Sequence, residues 1–83
     1  MSYYLLMCRS LTYAQRLARE LEKYGIGSSV TRGPQNAGTG CSYGVKIAER
    51  RLNDALRAAK NAGMDPLRVY LNDSSGLFRE VPV

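Results

Sequence analysis

Residues 28–48 read SSVTRGPQNAGTGCSYGVKIA, and this stretch decides the fold. Two strand-like segments stand back to back in it with no helix between them. Ser28 to Arg32 forms a short strand centred on Val30. Tyr43, Val45 and Ile47 then alternate with Gly44, Lys46 and Ala48, the period of a strand with one face buried, and Glu49 marks its end. Between them, Gly33-Pro34-Gln35-Asn36-Ala37-Gly38-Thr39-Gly40 has the composition of an irregular loop. Cys41 closes that loop.

Upstream, Ser2 to Arg9 is rich in Tyr and Leu and too short for an independent helix, so it reads as a first, largely buried strand. Ser10 offers an N-cap. From Leu11 to Tyr24, Leu11, Ala14, Leu17, Ala18 and Leu21 recur at helical spacing, opposed by Arg16, Arg19, Glu20 and Lys23, and Gly25 is placed as the C-cap.

Downstream, Leu52, Ala55, Leu56, Ala59 and Ala62 make a second apolar stripe, opposed by Asp54, Arg57 and Lys60 and stopped at Gly63. Arg50 and Arg51 stand where this helix should start, a position where basic charge opposes the helix dipole, and they read as a solvated pair. Asp65-Pro66 is a turn before a fourth strand, Leu67 to Leu71. Asn72 to Gly76 turns again into Leu77 to Val83, read as an added C-terminal edge strand.

The order strand, helix, strand, strand, helix, strand is that of the ferredoxin-like split βαββαβ fold, an α+β architecture. It predicts a four-stranded antiparallel sheet with both helices on one face and the extra strand at an edge. Eighty-three residues form one domain over 1–83, and 45% hydrophobic with 23% charged residues is an ordinary globular composition. The longest apolar run, Tyr3 to Cys8, is far too short to span a bilayer, and the chain shows no signal-peptide pattern. A cytoplasmic location with no membrane partner is expected.

Twelve Lys and Arg against seven Asp and Glu leave a net charge of +5, which favours anionic partners. Histidine is absent. That removes the usual general base, the commonest zinc ligand and any Cys-His or Ser-His pair, leaving cysteine as the strong nucleophile. Cys8 and Cys41 are too far apart in sequence for a C-x-x-C redox or metal motif. The 33–40 loop also lacks the ending of a phosphate-binding P-loop and precedes a strand rather than a helix, so neither a metal nor a nucleotide is expected.

In the split fold strands one and three are antiparallel neighbours, so the end of the first, at Cys8, and the start of the third, at Cys41, meet at one sheet edge. The first helix begins there after Ser10, and its N-terminal amides favour an anion. Arg9 and Arg32 reach the same edge. A thiol beside a helix N-terminus and guanidinium groups has its thiolate stabilised, which makes Cys41 the candidate nucleophile. Gly38 and Gly40 let backbone amides approach an anion closely, and Ser42 offers a hydrogen bond. Cys8 has two readings: a small buried hydrophobe in a strand, or a thiol that resolves an oxidised Cys41.

From Tyr4 through Ile47 the chain resembles a family of small bacterial selenium or sulfur carrier-like proteins once catalogued as a domain of unknown function. The resemblance rests on a short opening strand, Ser10-Leu11 leading into a helix with Ala14 and Leu17, then Tyr24-Gly25-Ile26, and Cys41 leading into Val45-Lys46-Ile47. The family's loop cysteine is typically followed by glycine, and this chain departs from that pattern at Ser42. The resemblance implies a cofactor-free carrier holding sulfur or selenium as a persulfide or selenosulfide on Cys41 and passing it to a sulfur- or selenium-transferring enzyme.

Two other functions compete. The same fold underlies the RNA-recognition motif, and this basic chain has Tyr4 in strand one and Tyr43 in strand three, but Val45 and Ile47 stand where further stacking aromatics belong. Alternatively, the Leu77 to Val83 tail, with Phe78 and Val81, adds a strand to a neighbour in a homo-oligomerising or regulatory domain without chemistry.

Overall fold

The structure, a computed structural model, describes residues 2–33, 43–66, 68–73 and 76–82. The elements run β1 (Tyr3–Met7), α1 (Leu11–Lys23), β2 (Ser28–Arg32), β3 (Tyr43–Ala48), a 3-10 turn at Glu49–Arg51, α2 (Leu52–Asn61), β4 (Arg68–Asn72) and β5 (Phe78–Glu80).

Both helices end as their glycines dictate. Gly25 has φ +73° and Gly63 φ +69°, a backbone conformation that other residues rarely adopt. At α1 the amide of Gly25 donates to Glu22 and that of Ile26 to Leu21. At α2 Gly63 donates to Lys60 and Met64 to Ala59. Each is the paired bond set that turns the chain sharply out of a helix and satisfies carbonyls left open at its end.

The five strands form one antiparallel sheet in the order β2-β3-β1-β4-β5, with β1 and β3 as central neighbours. The four expected strands are joined at the edge by the expected C-terminal strand, making five, because β5 pairs Tyr70 with Glu80, Leu71 with Arg79 and Asn72 with Phe78. The strand is shorter than the apolar tail suggested. Val81 still donates to the Val69 carbonyl at 2.8 Å, but Pro82 has no amide hydrogen with which to extend the ladder.

The two sheet faces differ in what covers them. On one face Leu6, Cys8, Val45, Ile47 and Val69 pack with Ala14, Leu17 and Leu21 of α1 and Ala55, Ala58 and Ala59 of α2. All the buried helix residues belong to this cluster. On the other face Leu5 and Met7 are fully buried with Tyr70, and Phe78 packs against them.

Two glycines make room on that second face. A Cβ on Gly44 would lie 3.0 Å from Leu5 Cδ1 and from the Leu6 carbonyl oxygen, and one on Gly33 would lie 2.6 Å from Met7 Sδ. The approach at Gly33 is closer than a real Cβ makes and that at Gly44 is tight, so Leu5 and Met7 fill the pleated surface above β1 where Gly44 of β3 and Gly33 after β2 carry no side chain.

Candidate functional site

The register brings one end of the sheet together row by row. Met7 stands opposite Gly44, which in turn faces Thr31. One row further, the Cys8 amide donates to the Tyr43 carbonyl at 3.1 Å, and Tyr43 is the cross-strand partner of Arg32. Cys8, Tyr43 and Arg32 therefore lie side by side across three strands, spanning two strand spacings, about 10 Å. Arg9 and Ser10 continue directly from Cys8 into α1.

Ser10 caps that helix. Its backbone is extended (φ −160°, ψ 165°) and its Oγ accepts from the Tyr13 amide at 3.1 Å. The first turn of α1 holds no acidic residue, so the positive end of the helix faces this edge without a compensating carboxylate.

Both predicted arginines lie at this end, and each sits on an aromatic ring. The Arg9 guanidinium is 5.1 Å from the centre of Tyr13, and that of Arg32 is 5.4 Å from the centre of Tyr43. Arg32 also donates from Nη2 to Tyr43 Oη at 3.4 Å. Such stacking restricts a long, exposed cation to one region of space. Both arginines are exposed, while both tyrosines are half-buried against the helix-side cluster.

Cys8 lies in a different environment. It is fully buried in the helix-side cluster, and its Sγ is 3.5 Å from the Leu6 carbonyl oxygen. The predicted nucleophile Cys41 and its neighbours Gly38, Gly40 and Ser42 lie outside the described residues. What bears on them is the position of Tyr43, two residues after Cys41 in the chain.

The rival readings are also placed. Tyr4 and Tyr43 pack against the helix-side cluster, on the face of the sheet that the helices cover, whereas an RNA-recognition sheet stacks bases on its open face. The tail is engaged within its own chain: Phe78 meets Tyr3 edge-on at 6.5 Å and packs on the second cluster, and Val81 packs on the first. Among the described residues no group of three or more His, Cys, Asp or Glu could hold a metal ion, and no helix is long and apolar enough to cross a membrane.

Sequence reasoning missed the roles of Tyr13 and Tyr43. Arg9 and Tyr13 are four residues apart, a spacing at which side chains meet around a helix start, so that pair carried a local signal. Arg32 and Tyr43 are eleven apart across a loop, and only the β2–β3 register joins them.

The comparisons with known proteins give one result. A family model described as "Putative Se/S carrier protein-like" matches residues 3–71, most of the chain, which therefore belongs to that family. No curated protein and no solved structure is similar enough to match.

Proposed function

We propose that this member of the Se/S carrier-like family is a thiol-dependent carrier. It holds sulfur or selenium as a persulfide or selenosulfide on Cys41 and hands the atom to a partner enzyme. The observation that carries the reading is the convergence of Arg9, Arg32 and the capped N-terminus of α1 on the sheet end where Cys8 pairs with Tyr43. In sequence, that row is two residues from Cys41. A carrier thiol needs a stabilised thiolate to accept the atom and positive charge to stabilise the terminal anion it then bears. Here the positive charge comes from guanidinium groups and helix amides.

In this reading Gly40 and Ser42 shape the loop, and Cys8 serves the core. No cofactor takes part, and the ferredoxin-like scaffold presents the thiol at a sheet edge. Arg9, Ser10 and Arg32 are all exposed, so the described part of the basic edge lies open to solvent. An exposed edge suits a thiol that must meet a second protein.

The test is intact mass after incubation with a persulfide donor, together with the thiol's alkylation rate against pH. A donor-derived mass gain is expected in the wild type and absent in Cys41→Ser, with stability nearly unchanged by the substitution. A Cys41→Ser variant that still gains the mass, or that loses about 1 kcal/mol or more of stability, refutes the assignment in favour of a packing role.

A further inference from the structure

The two edges of the sheet are finished differently. On the β4 side the edge strand β5 is three residues long, exposes Arg79 and Glu80 and is followed by Pro82, all features that discourage a further strand from adding. On the other side the edge strand β2, Ser28–Arg32, has five residues, no proline and an unbroken register with β3. The neighbouring ladder fixes where its backbone groups point. Because the Tyr43 carbonyl accepts from Cys8, residues 43, 45 and 47 of β3 bond toward β1, so Gly44 and Lys46 bond toward β2 and meet Thr31 and Ser29. The amides and carbonyls of Ser28, Val30 and Arg32 therefore point away from the sheet. Groups beside this edge lean inward: Arg32 lies over Tyr43 of β3 at 5.4 Å, Lys46 over Tyr3 of β1 at 4.4 Å, and the chain leaving β2 comes close to Leu5 and Met7 at Gly33. On both sides of Ser28 the surface is grooved, toward Ala18 and Glu22 of α1 on one and toward Tyr3 and Lys46 on the other.

We propose that β2 is the docking strand for a second copy of this chain, the two β2 strands pairing antiparallel across a two-fold axis through Val30. This goes beyond the carrier reading and does not depend on it. The strand is complementary to itself. Its outward groups are symmetric about Val30, so Val30 pairs with its counterpart and Ser28 with Arg32 of the second copy, each pair exchanging both of its backbone hydrogen bonds. On the face away from the helices Ser29 stands opposite Thr31 of the second copy, a favourable hydroxyl pair, and within the paired strands no like charges are opposed. On the helix face Val30 meets Val30, each already packed against its own helix-side cluster. The helices fit as well. α1 packs on β2 and β3 alike, so across the axis the two α1 helices stand two strand spacings apart, about 10 Å, the separation at which helices pack. Ala18 lines the groove between α1 and β2, where the second helix would lie. A two-fold pairing occupies β2 in both copies and so closes at a dimer.

The test is sedimentation velocity from about 5 µM to about 1 mM, the range in which small interfaces associate, with a reductant present so that no disulfide-linked species is counted. A monomer–dimer equilibrium is expected. Ser29→Lys/Thr31→Lys sets lysine opposite lysine at both symmetry-related positions and should weaken association about tenfold. Ser29→Lys/Thr31→Asp sets lysine opposite aspartate instead and should restore association to at least the wild-type strength. Both positions carry exposed or half-buried side chains, and a circular dichroism melt of each variant at the lowest concentration checks that the monomer is folded. In the wild type, amide exchange at Ser28, Val30 and Arg32 should slow as concentration rises, a readout that needs no variant. A chain that is monomeric throughout overturns the proposal, including one whose β2 takes up an extended peptide of another protein instead. So does a dimer of equal strength in the wild type and both variants, or amide exchange at those three residues that does not change with concentration.

Discussion

Replacing Gly44 with alanine probes how closely the two sheet faces are filled. The residue sits on β3 between Met7 of β1 and Thr31 of β2, in a negative-φ backbone that alanine adopts without strain. The cost therefore comes from packing alone. The added methyl would be 3.0 Å from Leu5 Cδ1 and Cγ and 3.0 Å from the Leu6 carbonyl oxygen. Leu5 is fully buried and cannot swing into solvent, and the carbonyl belongs to the central ladder. Overpacking of this kind costs about 1–3 kcal/mol. Alanine recovers roughly 0.5–1 kcal/mol through the entropy that glycine loses on folding. At the middle of both ranges a net loss of about 1 kcal/mol remains. An unfolding entropy near 0.17 kcal/mol per kelvin for 83 residues converts this to a Tm lowered by roughly 6 °C.

Gly27→Ala is the internal control. A Cβ there meets nothing within 4 Å and the backbone is not left-handed, so the substitution should leave Tm unchanged or raise it slightly. Thermal unfolding of both variants by circular dichroism measures the difference. If Gly44→Ala is as stable as Gly27→Ala, the close approach of Leu5 to β3 is wrong, and with it the account of why the second face is filled.

Other substitutions test the site's surroundings. Ser10→Ala removes the acceptor for the Tyr13 amide and should cost about 1 kcal/mol, read by urea denaturation, while Ser10→Asp should restore most of it. Cys8→Ala should lower stability by roughly 1 kcal/mol, because it removes a fully buried side chain from the helix-side cluster, yet leave donor-derived mass gain intact. Loss of that gain with stability preserved would make Cys8 a participant in the chemistry.

Much of the architecture was legible because it is written in local periodicity. The stripe Leu11, Ala14, Leu17, Ala18, Leu21 and the stop at Gly25 need only neighbours three and four residues away, and α1 follows them, with Ser10 as its cap. β2 occupies Ser28–Arg32 as expected for the same reason. Alternation in residues 43–48 also exposed β3, with Gly44 grouped with Lys46 and Ala48 opposite the buried face. Gly44 is instead buried, since its missing side chain is what Leu5 fills. The tail was legible as strand-like and not as a fixed partner of β4, because pairing is a property of two segments and not of one.

The amino-acid sequence by itself determined the order of elements, the caps at Ser10, Gly25 and Gly63, the basic balance, the absence of histidine and the family resemblance centred on Cys41. Each depends on residue type or on spacing within a helical turn or a strand. Tertiary structure alone decided that Tyr4 and Tyr43 face the helices, that Leu5 and Met7 are buried on the opposite face, and that Arg32 rests on Tyr43 beside the Cys8 row. Those facts follow from strand register. A slip of one residue between β2 and β3 would turn Arg32 to the other face, and nothing within either strand's own sequence forbids it. The packing of α1 against both strands, with Val30 and Val45 paired on the helix side, is what selects the register observed.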